Sequence, residues 1–217
     1  TPRQAYHAVL LAADKRHVHP VRTYLDGLTW DGKKRLDTWL AVYMGARDEP
    51  YTCKVGPWML RQAVKRIYEP GGKADYVPVF EGEQVLKKSS AIRALCPNPT
   101  WVSDTMFTIG SKDAMVALRG RWFIELAEAM SLLRAEHAAS KAFFPSPTDD
   151  YRPPYGQHNV QVPRQCAFFA TINPEGGYLR DPTGGRRYWP VACGEVGSIK
   201  LADIEAVDDF GAELPDF

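Results

Sequence analysis

The sequence predicts an α/β fold: a mostly parallel sheet with helices on both faces, preceded by a small N-terminal helical bundle. Two observations carry this. Apolar strand-like runs at Tyr76–Phe80, Trp122–Leu126, Ala167–Thr171 and Arg187–Val191 alternate with helix-spaced segments near Ser89–Leu95, Asp113–Leu118 and Arg134–Phe144. Strands that alternate with helices build parallel sheets covered on both sides. Before Asp75 the pattern is helical throughout, so three regions are expected: residues 1–74 helical, 75–192 the sheet-bearing core, and 193–217 an acidic tail. The chain has 217 residues, 45% of them hydrophobic and 24% charged, which suits one large globular domain with at most a small appendage.

The elements follow in order. Pro20 precedes Val21, Tyr24, Leu25 and Leu28, an i, i+3, i+4, i+7 face that marks a helix. Asp31-Gly32 is a turn, and Leu36, Trp39, Leu40 and Tyr43 repeat the helical spacing up to Gly45. Tyr51–Tyr68 is a third helix, stopped by Pro70-Gly71-Gly72, a linker too short for free motion. Such a bundle reads as a scaffold. The alternative is a nucleic-acid-facing surface using Lys33, Lys34 and Arg35, although charge runs of that kind are usually solvated faces.

The chemistry begins after the first strand. Tyr76–Phe80 leads through Gly82, Glu83, Gln84, Val85, Leu86 and Lys87 to Lys88, Ser89 and Ser90, where helical spacing resumes (Ile92, Leu95). Strand, glycine, loop, Lys-Ser and helix is the layout of a phosphate-cradling loop, G-x-x-x-x-G-K-[ST]. In that layout Lys88 neutralises phosphates and the Ser89 hydroxyl holds magnesium. The second glycine is missing: Lys87 stands in its place and constrains the local backbone, and β-branched Val85 stiffens the loop. The competing reading is a basic strand-to-helix turn that binds no nucleotide.

Four further stretches could complete such a site. Trp122–Leu126 followed by Ala127 and Glu128 is an apolar strand with carboxylates at Glu125 and Glu128, the way an acid is presented to magnesium and an attacking water. Cys166–Ile172 delivers Asn173 at the C-terminal end of a strand, the edge where parallel sheets bind ligands; an ordinary turn asparagine before Pro174 is the alternative. Gly184 and Gly185 precede Arg186 and Arg187, which could serve a neighbour's nucleotide as an arginine finger or form a plain surface pair. Asp150–Asn159 mixes tyrosines, prolines, Gly156 and the cations Arg152 and His158, as a projecting hairpin would. Tyr155 and Arg152 suit stacking and phosphate contact with single-stranded nucleic acid, and Pro153 and Pro154 argue against a central strand.

Composition narrows the setting. A net charge of +1 neither favours nor opposes nucleic acid, so any basic surface must be local. Cys53, Cys96, Cys166 and Cys193 form no C-x-x-C pair and read as free thiols of a reducing, cytoplasmic compartment. No apolar run approaches a membrane span and no signal peptide is visible. Thr1 is not a methionine and Asp203–Phe217 is acidic, so both ends are expected to be cut from a longer chain.

Taken in this order, the stretches resemble the virulence-associated protein E family, P-loop ATPases of phages and mobile islands. The phrases that carry the resemblance are Pro20–Leu40, Leu118–Glu128, Asp150–Gly156, Pro163–Cys166 and Tyr178–Val191. It covers about Pro20 to Val191. The family is similar to superfamily III replicative helicases, AAA+-like rings that move on single-stranded DNA.

The resemblance implies an Mg-ATP-dependent motor, with ATP and Mg2+ at Gly82–Ser90 and Lys88 and Ser89 as the lysine and magnesium hydroxyl. It implies an acidic pair at Glu125 and Glu128, a polar sensor at Asn173, and Arg186 or Arg187 acting on an adjacent copy in a homo-oligomeric ring. Lys141 through Asn159, including Arg152, Tyr155 and His158, matches the position of a DNA-contacting hairpin. Two departures bear on activity: Val85 and Lys87 replace common glycines, and a longer helical segment normally follows Val191. They leave a second reading open, a DNA-binding or assembly module that kept the fold and lost hydrolysis. A small-molecule P-loop kinase would leave the hairpin and the paired arginines without a role.

Overall fold

The computed structural model describes residues 4–6, 8–9, 12, 18–106, 108–127, 137–154, 156–173 and 187–194. After helical residues at 4–6, 8–9 and 12, three helices follow: α1 (Pro20–Asp26), α2 (Trp39–Met44) and α3 (Thr52–Tyr68). Pro20 starts α1 where a missing N–H costs nothing, and His19 caps it by accepting from the Arg22 amide at 3.1 Å. Leu28, expected on the face of α1, lies just past its end at Gly27 and still packs on the core. Gly45 ends α2 in the left-handed conformation (φ 65°).

Strand β1 (Val77–Glu81) follows, then helix α4 (Lys88–Ala94), the two-residue β2 (Val102–Ser103), α5 (Lys112–Leu118) and β3 (Phe123–Leu126). Helix α6 (His137–Phe143), the strands β4 (Thr148–Tyr151) and β5 (Val160–Pro163), β6 (Ala167–Ile172) and β7 (Tyr188–Ala192) complete the described chain. The main sheet has the order β2-β3-β6-β1-β7, and every pairing in it is parallel. The four apolar runs are its four longer strands. Only β2 was not anticipated; two residues are too few to show a period.

Both faces of this sheet are buried, which explains the apolar runs. One face carries Phe80, Phe123, Phe169 and Val191 and packs with α4 and the N-terminal helices in a single cluster containing Trp39, Met59, Ala63, Ile67 and Ile92. The other carries Val77, Val79, Ile124, Phe168 and Ile172, covered by α5 and α6 through Ala114, Leu118, Phe143 and Phe144. Alternation along each strand assigns the faces, so Glu125 and Thr171 share the face on which α4 lies.

The Asp150–Asn159 stretch is the turn of an antiparallel hairpin, β4 with β5, separate from the main sheet. Its base is held by buried charge. Arg164, 2% exposed, grips Asp149 through Nε at 2.9 Å and Nη2 at 2.6 Å, donates Nη1 to the Phe143 carbonyl and stacks over the Phe143 ring at 4.2 Å. Arg66 of α3, wholly buried, donates to the carbonyls of Gly72 (3.0 Å), Cys166 (3.0 Å) and Ser146 (3.4 Å). The hairpin base, the helical region and the sheet are thereby tied together. Among the described residues no helix is long and apolar enough to cross a membrane.

Candidate functional site

The loop Gly82–Lys87 joins β1 to α4 at the C-terminal edge of the sheet. Gly82 has φ +156°, and an added Cβ would lie 2.6 Å from Leu86 Cδ1 and 3.0 Å from the Cys193 carbonyl oxygen. A side chain does not fit there. Leu86, in a short 3-10 turn over Gln84–Leu86, also covers Gly194, where a Cβ would meet its Cδ1 at 2.7 Å. The Gly82 amide donates to the Ile172 carbonyl at 3.3 Å, fastening the loop to β6.

Lys87 adopts φ 58°, ψ 31°, and is the one non-glycine with positive φ among the described residues. The motif's second glycine is gone, but the backbone shape a glycine would take is kept. A residue with a Cβ holds it at a cost of order 1 kcal/mol.

Lys88 opens α4 and is 5% exposed. Its Nζ donates to the Gly82 carbonyl (2.6 Å), the Glu83 carbonyl (2.7 Å) and Asn173 Oδ1 (3.4 Å). Burial lowers the Lys88 pKa, opposed by the neighbouring Cys193. The same burial pushes the Cys193 thiol up to about 12. Asn173, predicted from its place at a strand end, therefore does meet Lys88.

Glu125 is the third residue of β3 rather than its last, and is 2% exposed. The strand ends at Leu126, as the Trp122–Leu126 run predicts, and Glu125, its last residue but one, lies beside Thr171 on the α4 face. Its Oε1 accepts from Thr171 Oγ1 at 3.1 Å, while the buried Oε2 has no hydrogen-bond partner. A buried carboxylate oxygen without a partner is costly, and it marks a place where a cation or a water-borne donor fits. Thr171 was missed in the sequence. Its signal was a lone hydroxyl in the apolar run Ala167–Ile172.

Lys88, Thr171 and Asn173 converge on a cavity of about 450 Å³ lined by Gln84, Val85, Lys87, Lys88, Ser89, Ser90, Ala127, Thr171, Ile172 and Asn173; Glu125 does not line it and is linked to it by its hydrogen bond to Thr171. That is the size range of small-molecule sites. The strand order creates it: β6 lies between β1 and β3, so its C-terminal end brings Thr171 to Glu125 and Asn173 to Lys88. The later strands fall on both sides of β1, with β2, β3 and β6 to one side and β7 to the other, and such a reversal of strand order is where open α/β sheets bind ligands. Two lysines, two serine hydroxyls, the Thr171 hydroxyl and the amides of Gln84 and Asn173 line a space suited to an oxyanion, with the Glu125 carboxylate one hydrogen bond away through Thr171.

The remaining predicted residues fall elsewhere. Arg187 stands just before β7, its carbonyl accepting from the Val77 amide at 2.8 Å. It is therefore at the opposite edge of the sheet, separated from the cavity by the length of β1, about 15 Å. Arg152 and His158 are exposed on the hairpin turn, and Arg152 Nε donates to the Gly156 carbonyl at 2.7 Å. Lys141 is half-buried on α6. Glu128, Tyr155 and Arg186, with the acidic tail beyond Gly194, lie outside the described residues. The buried Asp149, Arg164 and Arg66 were not foreseen, although Arg66 shares the helical spacing of buried Met59, Ala63 and Ile67.

Comparison with known proteins agrees with the expected family. The profile of the virulence-associated protein E-like domain matches residues 25–213. Among solved structures, the A-form apo structure of the NrS-1 C-terminal region is similar over 93% of this chain and 49% of that one, with a TM-score of 0.58 and 13% identity. A further apo structure of the same region is similar over 92% and 50%, with a TM-score of 0.56 and 13% identity. This chain thus spans about half the length of those structures, and the likeness is one of fold. No curated protein matches the chain.

Proposed function

Because the chain belongs to the virulence-associated protein E-like domain family, we propose that it is an Mg-ATP-dependent motor ATPase acting on single-stranded DNA in phage or mobile-element replication. The observation that carries the reading is the meeting of Lys88 at the start of α4 with Thr171 and Asn173 at the end of β6 in a single cavity beside a glycine-started loop, with Glu125 of β3 bonded to Thr171. The fit to magnesium rests on Ser89, which lines the cavity, and on the buried, unpartnered Glu125 Oε2, whose carboxylate is bonded to the cavity-lining Thr171. Ser89 and Glu125 would hold the ion, whose chemistry is to neutralise phosphate charge and fix the phosphates in line.

The chain's own residues supply the rest. Lys88 exchanges its contact with Asn173 for phosphate oxygens, and the backbone of Gly82–Lys87 wraps them. Glu125, with Glu128 as the second acid, orients the attacking water, and Asn173 lies where it contacts that water or the terminal phosphate. Arg187 lies too far across the sheet to serve its own cavity, so it or Arg186 acts on a neighbouring copy, and the working form is a homo-oligomeric ring. Arg152 and His158 of the hairpin turn, with Tyr155 and Lys141, contact single-stranded DNA.

A second reading is favoured by Lys87 and Lys88. All three Lys88 donors go to the protein and Lys87 replaces a glycine, as in an assembly or DNA-binding module that no longer hydrolyses ATP. ATP turnover with and without single-stranded DNA separates the two. The motor reading expects DNA-stimulated turnover that drops to background in Lys88→Ala. Turnover that survives Lys88→Ala would sink the assignment, and DNA binding indifferent to ATP, without hydrolysis, would establish the module.

A further inference from the structure

The cavity has two lysines, and the structure gives them different work. Lys88 is buried, and its three protons point at the Gly82 and Glu83 carbonyls and Asn173. It braces the loop. Lys87 is exposed, lines the same cavity, and its side chain makes no hydrogen bond or ion pair with the described residues; only its carbonyl is engaged, accepting from the Ala91 amide at 3.0 Å. It is therefore the cation that an entering anion meets first.

Lys87 is also where the backbone is strained. Its left-handed conformation is one that glycine adopts freely, and the loop retains it with a lysine. Strain of this kind persists where the surrounding structure enforces it, and it collects at ligand-binding positions. A lysine that costs stability, faces an anion-suited cavity and has no protein partner needs a reason to be there, and the cavity supplies one.

We infer that Lys87 is a polyphosphate-contacting residue of this cavity, a second cation beside Lys88, whose ammonium compensates in binding for the backbone strain it imposes. The inference rests on the cavity being a nucleotide site. It assigns the loop a preference for the more highly charged ligand, so that ATP and inorganic tripolyphosphate gain more from Lys87 than ADP does. Lys88 remains the lysine that closes the loop.

The test uses the full chain with Lys87→Gly, Lys87→Asn and Lys87→Arg, measuring Mg-ATP, Mg-ADP and tripolyphosphate binding and the melting temperature without ligand. Glycine and asparagine both accept the left-handed backbone and carry no charge. Lys87→Gly should melt about 2–4 °C higher yet bind Mg-ATP about fivefold more weakly, with a smaller loss for Mg-ADP and a shallower salt dependence. Lys87→Asn should show the same affinity loss, and Lys87→Arg should restore it. If the wild type binds Mg-ATP and Lys87→Gly binds as tightly or more tightly, the inference is overturned while the phosphate-loop reading stands. If the wild type binds neither Mg-ATP nor tripolyphosphate, both fall together.

Discussion

Thr171→Val probes the Thr171–Glu125 pair, the part of the site least visible in the sequence. Valine is nearly isosteric with threonine but has no hydroxyl to donate. Thr171 Oγ1 donates to Glu125 Oε1 at 3.1 Å, and both residues are buried, at 5% and 2% exposure. Glu125 Oε2 already has no partner, so the substitution leaves a buried carboxylate with neither oxygen bonded. A hydrogen bond to a charged acceptor contributes about 1.5–3 kcal/mol, so a loss of about 2 kcal/mol is expected. In a chain of this length that lowers the melting temperature by about 4–8 °C. Urea unfolding reads the stability. Thr171→Ser should retain most of it, because the hydroxyl is kept. A double-mutant cycle with Glu125→Gln isolates the pair, and a coupling energy of at least 0.5 kcal/mol is expected for residues in contact. Additive effects, or a Thr171→Val protein as stable as the wild type, would refute the assignment of this hydrogen bond as the contact that holds Glu125.

Two further outcomes follow from buried groups. Asp149→Ala strands the Arg164 guanidinium, which is 2% exposed, and should cost about 3–5 kcal/mol in denaturant unfolding, whereas joint replacement of Asp149 and Arg164 by leucine and methionine should cost far less. Burial raises the pKa of Cys96 and Cys166 to about 11 and that of Cys193 to about 12. A raised folded pKa means the native state holds these protons after the unfolded chain has released them. Their contribution is therefore complete below the ordinary thiol range and is lost as pH rises towards 11–12. Unfolding free energy measured by urea from pH 8 to pH 12 should fall by roughly 3–4 kcal/mol per thiol, and Cys193→Ala should remove one share of the slope. A pH-independent free energy would contradict the burial of these thiols.

Much of the fold was legible because it is local. Helical spacing at Val21–Leu25, Leu36–Tyr43 and Tyr51–Tyr68, and apolar runs long enough for strands, give period and length within a few neighbouring residues. The structure moves their boundaries by one to three residues, the largest shift being the start of α2 at Trp39 rather than Leu36. The strand–Gly82–loop–Lys88 layout was readable for the same reason, since it is contiguous. The Trp122–Leu126 run was readable in the same way, and it sets Glu125 one residue before the end of β3. The Thr171 hydroxyl went unnoticed because its purpose depends on a carboxylate in another strand.

By itself, then, the sequence determined the family, the alternation that makes a parallel sheet, the phosphate-loop layout and the residues available to a site. The tertiary structure decided the strand order. Placing β6 between β1 and β3 makes Thr171 the partner of Glu125 and Asn173 the partner of Lys88, and leaves Arg187 at the far edge. It decided that Arg66, Asp149 and Arg164 are buried as ties at the hairpin base, and that Lys87 takes a glycine's backbone. The physical reason is range. Periodicity and turn chemistry act between residues a few positions apart, whereas strand order and buried pairing are set by contacts between distant segments competing for the same core.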